Sequence, residues 1–268
     1  MCDRYSRRID YLRVAVTDRC NLRCTYCMPP EGVPLKRHGD ILSYEQIAAV
    51  VAEAVALGIR KVRLTGGEPL VRKGIADLVA MLAPLPGLGE LCMTTNGTLL
   101  AALAAELKAN GLGRVNISVD SLDPDKYAAI TRGGDVRAAL AGVDAALAHS
   151  LTPVKINMVV SADTPPDEID AMRTFCGAKG VTLQRIHLFS LHQRDRNTGG
   201  IPTDRPPKCE SCNRLRLTAD GHLKPCLFSD DEIPVNFANI RGSLLAAVRG
   251  KPLNGTQCLN RAMHAIGG

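Results

Sequence analysis

Cys20, Cys24 and Cys27 stand in the run TDRCNLRCTYCMPPEG, near the start of a chain of 268 residues. The C-x3-C-x2-C spacing brings three thiolates close together on one loop. A [4Fe–4S] cluster ordinarily takes four cysteine ligands. Three ligands would leave one iron with an open position, able to bind a reactant rather than only pass electrons. Zinc is the main competing chemistry, but structural zinc sites pair one C-x2-4-C with a second such pair, and the next cysteine is Cys92. A disulfide framework would need a far denser set than ten cysteines in 268 residues.

A second group, CESCNRLRLTADGHLKPC, contains Cys209, Cys212 and Cys226. A lone C-x2-C is a redox pair or half a zinc site; with Cys226 the open-iron arithmetic of the first group repeats. Cys258 could close that site, although its surroundings, GTQCLNRAM, have no metal-binding pattern. Between the two groups lie TGGEP (65–69), TTNG (94–97) and NISVDS (116–121). The glycines of TGGEP let backbone approach a ligand closely because no Cβ intrudes. Small polar residues are also ordinary turn formers, but their repetition at successive strand ends points to a polar pocket. Arg13, Arg63 and Lys155 lie inside otherwise apolar runs. That is costly unless the charge is paired. Snorkelling at a barrel rim would explain one such residue better than three.

The elements that must hold these groups show in the hydrophobic pattern. Strand-length apolar runs at 11–17, 60–65, 90–95, 114–120, 153–160 and 182–189 alternate with helical stretches, among them 45–57, 100–110 and 136–149. Ser43 with Gln46 reads as a capping box, and Gly58 and Gly111 as helix stops. Six such units predict parallel strands with right-handed crossovers and an incomplete (β/α)6 TIM-type barrel, class α/β, over residues 1–190. A C-terminal iron–sulfur extension follows over 191–268, with a linker, the second cysteine group and a GG tail. Barrel logic places functional groups at strand C-terminal ends.

The hydrophobic fraction is 46%, with 3% aromatics and no Trp, so Ala, Leu, Val and Ile must build the core. A net charge of +6 without a basic cluster suits a small anionic substrate better than a nucleic-acid polymer. No run reaches the ~20 apolar residues of a membrane span, and the start lacks a signal-peptide core. A cytoplasmic, reducing setting is expected.

The C-x3-C-x2-C run with an aromatic residue, Tyr26, before its third cysteine resembles the radical S-adenosylmethionine superfamily. The resemblance implies that the open iron chelates the methionine part of S-adenosylmethionine, and that the reduced cluster cleaves it to a radical that takes hydrogen from substrate. It also implies cofactor contacts at Tyr26, Gly67, Glu68 and Ser118, and at Ser190, which falls near a family methionine position. Two open-iron groups together with NRLRL resemble the GTP 3′,8-cyclase family of molybdenum cofactor biosynthesis. That resemblance implies two [4Fe–4S] clusters, the second meeting the guanine of GTP. It further implies nucleotide contacts at Arg13, Arg63, Thr94, Lys155, Arg214 and Arg216, and a terminal Gly267–Gly268 that enters the active site. Two departures stand out: a shorter segment before Cys209, and HLFSL where the family has an acidic residue and a methionine. Expected partners are GTP, a reductant protein, a second copy in a homodimer, and a downstream pterin-forming enzyme. The alternatives are a radical enzyme acting on a peptide with a relay cluster, and a non-catalytic paralogue that binds nucleotide.

Overall fold

The computed structural model describes residues 1–192, 202–204 and 208–266. The six expected strands form: β1 (Tyr11–Ala15), β2 (Lys61–Thr65), β3 (Glu90–Thr95), β4 (Arg114–Ser118), β5 (Lys155–Val160) and β6 (Thr182–His187). Consecutive strands pair in parallel. The crossovers are helical: α1 (Tyr44–Ala56), α2 (Ile75–Leu82), α3 (Leu100–Ala109), α4 (Pro124–Thr131) with α5 (Val136–Ala148), and α6 (Pro166–Lys179). Ser43 and Gln46 form the expected reciprocal cap of α1, which satisfies two backbone donors that a helix start leaves open. Left-handed Gly58 and Gly111 follow α1 and α3.

The stretch after residue 208 holds more than a cysteine group and a tail. β7 (Arg214–Leu217) pairs in parallel with β1, and β8 (His222–Lys224) and β9 (Ile233–Pro234) continue the same sheet antiparallel. The strand order is β6-β5-β4-β3-β2-β1-β7-β8-β9, an open sheet rather than a closed barrel. α7 (Ile240–Arg249) packs against α1, and a final turn, α8 (Met263–Ile266), ends the described chain.

Period-two alternation sorts the side chains of this sheet. Leu12, Val14, Val62, Leu64, Met93, Ile117, Ile156, Leu215 and Leu217 are buried in one apolar core. The alternate residues Arg13, Arg63, Thr94, Asn116, Lys155, Arg214 and Arg216 line a shared cavity. A TIM barrel fills its interior with aliphatic layers; this sheet keeps a polar interior instead.

The parallel register Tyr11↔Arg214 sets the two cysteine groups apart. Cys20 follows the C-terminal end of β1, as expected. Cys212 precedes β7, and Cys226 follows the antiparallel β8, so the second group sits at the N-terminal end of the parallel strands. The expectation that functional groups gather at strand C-terminal ends is therefore corrected for this half. Five strand residues lie between the levels, about 17 Å at ~3.3 Å each.

Leu215 is fully buried in the β1–β7 seam. Leu215→Ala should cost about 2–5 kcal/mol, as large-to-small core substitutions do, read as a lower urea midpoint for the metal-free protein.

Candidate active site

The loop after β1 carries Cys20, Cys24 and Cys27 into a cavity shared with Tyr26, Gly66, Gly67, Glu68, Thr94, Ser118 and Asn157. Burial pushes the Cys24 and Cys27 thiols up to about 12, with Asp120 adding to the rise at Cys24 and Cys20 to that at Cys27. Among the described residues no three ligating side chains converge closely enough for a single metal ion. A cubane offers a separate iron to each thiolate, so it takes the ligands further apart, and the soft all-sulfur donor set suits it.

The glycine pair holds this loop in place. A Cβ on Gly66 would lie 2.5 Å from the Thr17 carbonyl oxygen, and one on Gly67 would overlap the Arg19 carbonyl. Gly67 N–H donates to Thr17 O at 2.8 Å and Glu68 N–H to Arg19 O at 2.8 Å. The close approach inferred from the sequence thus occurs against the chain's own cysteine loop.

Glu68 is 1% exposed. Its Oε1 accepts from Leu70 N–H and from the Thr95 hydroxyl, and its Oε2 from Asn96 N–H. One acceptor site remains for a ligand ammonium, since a carboxylate offers about four. Burial raises Glu68 to about 7, against the pull of those three donors. Tyr26 donates its hydroxyl to Asp120 Oδ2 at 2.7 Å, while Asp120 Oδ1 accepts from Val159 N–H at 2.8 Å. Asp120 therefore pins the cysteine loop to β5. Ser118 lies on the cavity wall across from Asn157. Ser190 lines an adjoining groove over Cys27 and Tyr26 and accepts from His192 N–H.

A second cavity adjoins the first and shares Thr94, Asn157, Ile186 and Phe189 with it. Arg13, Lys61, Arg63, Arg114, Lys155, Arg214 and Arg216 line it; among the described lining residues there is no carboxylate. Glu90, set behind them, pairs with Lys61 at 3.0 Å and Arg114 at 2.6 Å. Arg63 donates to the Tyr11 hydroxyl at 2.7 Å and to Thr94 Oγ1 at 3.1 Å. The Tyr11 ring carries Lys61 and Arg214 over its faces at 5.1 and 5.3 Å. Burial, with Arg13 and Arg214 alongside, pulls Arg216 down to about 9. Anionic ligand would relieve that crowding.

The second cysteine group sits beyond this cavity. Burial raises the Cys226 thiol, and Cys212 and Cys209 add to the rise, which marks the three as neighbours. Cys258 lies in a small apolar cluster with Leu191, Phe228 and Ile266, its thiol against Asn260 Oδ1 at 3.3 Å.

The C-terminal segment reaches both cavities. Arg261 makes a two-pronged pair with Glu232, at 2.7 and 2.6 Å, and a 2.7 Å bond to Asp220. Beyond this clamp Met263 and His264 line the first cavity, and Arg216 donates to Ile266 O at 3.0 Å. Gly267 and Gly268 lie outside the described residues, as does most of the short segment before Cys209.

Several lining groups escaped the sequence reading. Tyr11, Lys61 and Arg114 fall on the same strand alternation as Arg13, Arg63 and Asn116 and could have been found by it. Asn157 accepts from Asn116 and Gln184 in a buried amide row, and β5 alternation carried that signal. His187 and His264 are buried at the first cavity; among the described residues neither ring nitrogen of His187, nor Nδ1 of His264, has a partner. Nothing local in the sequence marks either.

A parallel α/β sheet with a three-cysteine loop after its first strand defines a class, and comparison with known proteins agrees. The radical SAM superfamily model matches residues 14–176, and the Molybdenum Cofactor Synthesis C model matches 152–246. The chain belongs to the radical SAM superfamily. A "GTP 3′,8-cyclase" of Peptoclostridium acidaminophilum is 40% identical, covering 100% of this chain and 98% of the relative. Another so named, from Petrotoga mobilis, is 42% identical over 87% of this chain and 85% of the relative. Within the superfamily the chain thus belongs to the GTP 3′,8-cyclase family. The first alignment runs over 319 positions, so that relative carries residues this 268-residue chain lacks. Streptococcus suis SuiB, solved with S-adenosylmethionine bound, shares the fold at a TM-score of 0.66 and 14% identity. That match covers 92% of this chain and 65% of SuiB.

Gly67→Ala should destabilise the metal-free protein by about 1–3 kcal/mol through overpacking, and lower the iron retained after anaerobic reconstitution. Glu68 gives a pH signature. Its folded value of about 7 exceeds the ordinary 4.5, so its contribution is full below pH 4.5. It declines as pH rises from there to about 7. Chemical denaturation of the metal-free protein should show that slope, and Glu68→Gln should flatten it.

Proposed function

We propose that this chain is a radical GTP 3′,8-cyclase, joining ribose C3′ of GTP to C8 of its guanine to give 3′,8-cyclo-7,8-dihydro-GTP. This would be the first step of molybdenum cofactor biosynthesis. Cys20, Cys24 and Cys27 would hold one [4Fe–4S] cluster, and Cys209, Cys212 and Cys226 a second. Bound clusters and S-adenosylmethionine supply a reducing electron and a hydrogen-abstracting carbon radical.

The observation that carries this reading is a cavity lined by seven cationic side chains between two cysteine groups at opposite ends of the same strands. Arginine forks pair in plane with phosphate oxygens. The registers Arg13↔Arg63 and Arg13↔Arg216 hold three of them in one row. A triphosphate there would replace the water that burial removes. Glu68 and Ser118 would hold the methionine part of S-adenosylmethionine, and Thr94, shared by both cavities, would touch substrate near the reacting carbon. Holding the reacting groups at fixed separation is what such a channel contributes to rate. The buried walls would keep water from the radical. A reductant protein must deliver the electron, and a pterin-forming enzyme is the consumer of the product.

Anaerobic incubation with GTP, dithionite and S-adenosylmethionine should give cyclised nucleotide, and about eight irons per chain should be present by the stoichiometry of two cubanes. 5′-Deoxyadenosine without any cyclised nucleotide would sink the substrate assignment. Arg216→Ala should raise the KM for GTP about ten- to a hundredfold, the range of a charged hydrogen bond. The metal-free protein should lose little stability, because Arg216 is crowded by Arg13 and Arg214.

A further inference from the structure

Two lysines are enclosed beside the second cysteine group, and they are balanced differently. Lys224 is 0% exposed, with its Nζ 3.0 Å from Glu232 Oε1. Lys251 is 1% exposed, and its Nζ donates to two neutral carbonyls, those of Arg214 at 2.8 Å and Pro225 at 2.7 Å. Among the described residues no carboxylate forms an ion pair with Lys251. An ammonium taken out of water and given only carbonyls bears a large desolvation penalty. A negative partner is needed nearby.

The positions of the two carbonyls indicate where that partner is. Arg214 is two residues after Cys212, and Pro225 immediately precedes Cys226. A lysine has three N–H donors. Two join these cysteine-bearing segments, and the third is left for a partner beside them. A cubane held by three thiolates carries net negative charge, and accepting an electron makes it more negative. Hydrogen bonds and charge around the sulfurs are among the features that set the potentials of such clusters.

Resting on the two-cluster reading above, we propose that Lys251 is the internal counter-ion of the second cluster, a positioning residue that makes its reduced state accessible. The carbonyl bonds fix the ammonium; the charge acts on the cluster. A merely structural staple would need the bonds and not the charge.

The test uses the full-length chain with Cys20, Cys24 and Cys27 changed to Ala, so that only the second group can be loaded. Lys251→Met removes both charge and bonds, whereas Lys251→Gln removes the charge but keeps two donors for the carbonyls. An electron-paramagnetic-resonance titration with dithionite as the one-electron donor reads the potential. At the potential that half-reduces the lysine form, each variant should show at least a tenfold lower ratio of reduced to oxidised cluster. That is 59 mV or more for one electron. Lys251→Arg should stay within threefold. Without metal, Lys251→Gln should melt no lower than the lysine form, since it loses a charge with no counter-ion. An unchanged ratio in Lys251→Gln, with iron and sulfide equal to the lysine form, overturns the counter-ion assignment and leaves the second cluster standing. Failure of the lysine form itself to retain iron and sulfide overturns the two-cluster reading, and this inference with it.

Discussion

Arg63, Arg13 and Arg216 stand side by side across β2, β1 and β7, where burial removes the water that would screen them. Neighbouring strands run about 4.8 Å apart, so their mutual repulsion is substantial in any medium less polar than water. The surrounding structure answers that repulsion group by group. Tyr11 offers its hydroxyl to Arg63 and its faces to Lys61 and Arg214. Glu90 takes Lys61 and Arg114. The Met93 and Ile266 carbonyls accept from Arg63 and Arg216. The charge crowding that remains at Arg216 is of the kind an anion would relieve. It also explains why the apolar core lies on one face of the sheet only.

The cysteine loop depends on the same sheet by a different route. Its backbone is clasped to the glycine pair after β2, and its tyrosine to Asp120 after β4. Backbone groups after β2 and in β5, together with the Asp120 side chain after β4, therefore fix one loop, and a shift in any of them would displace the thiolates. The tail is fixed as firmly. The Arg261 clamp ties it to the β7–β8 turn through Asp220, and Lys36 reaches the same carboxylate from the cysteine loop at 3.0 Å.

Six strands and the start of α1 were legible because their signals are local: alternation of apolar residues, a Ser–Gln cap, and glycines after helices. Both cysteine groups were legible for the same reason, since ligand spacing is written in the sequence. β7 was missed as a barrel strand although RLRL alternates, because four residues after a Pro-rich stretch are too few to stand out. The structure pairs them with β1, roughly two hundred residues away. Glu90, Asp120, Arg261 and Lys251 were illegible for a related reason. Each looks like an ordinary polar residue until folding sets it against a partner distant in sequence. The two buried histidines remain polar groups whose neighbours only the fold reveals.

The pairing of β1 with β7 has a consequence for how the chain comes into being. β1 is made first and lies in the middle of the finished sheet, yet one of its two neighbours is among the last strands synthesised. Until residues 214–217 emerge, one edge of β1 offers its backbone hydrogen-bonding groups to any passing strand, a recognised route to aggregation. Closing so long a loop is also slow compared with forming the adjacent β/α units. A ribosome-bound chain truncated before Arg214 thus has its cysteine loop and glycine pair but an unsealed centre, and its maturation waits on the C-terminus.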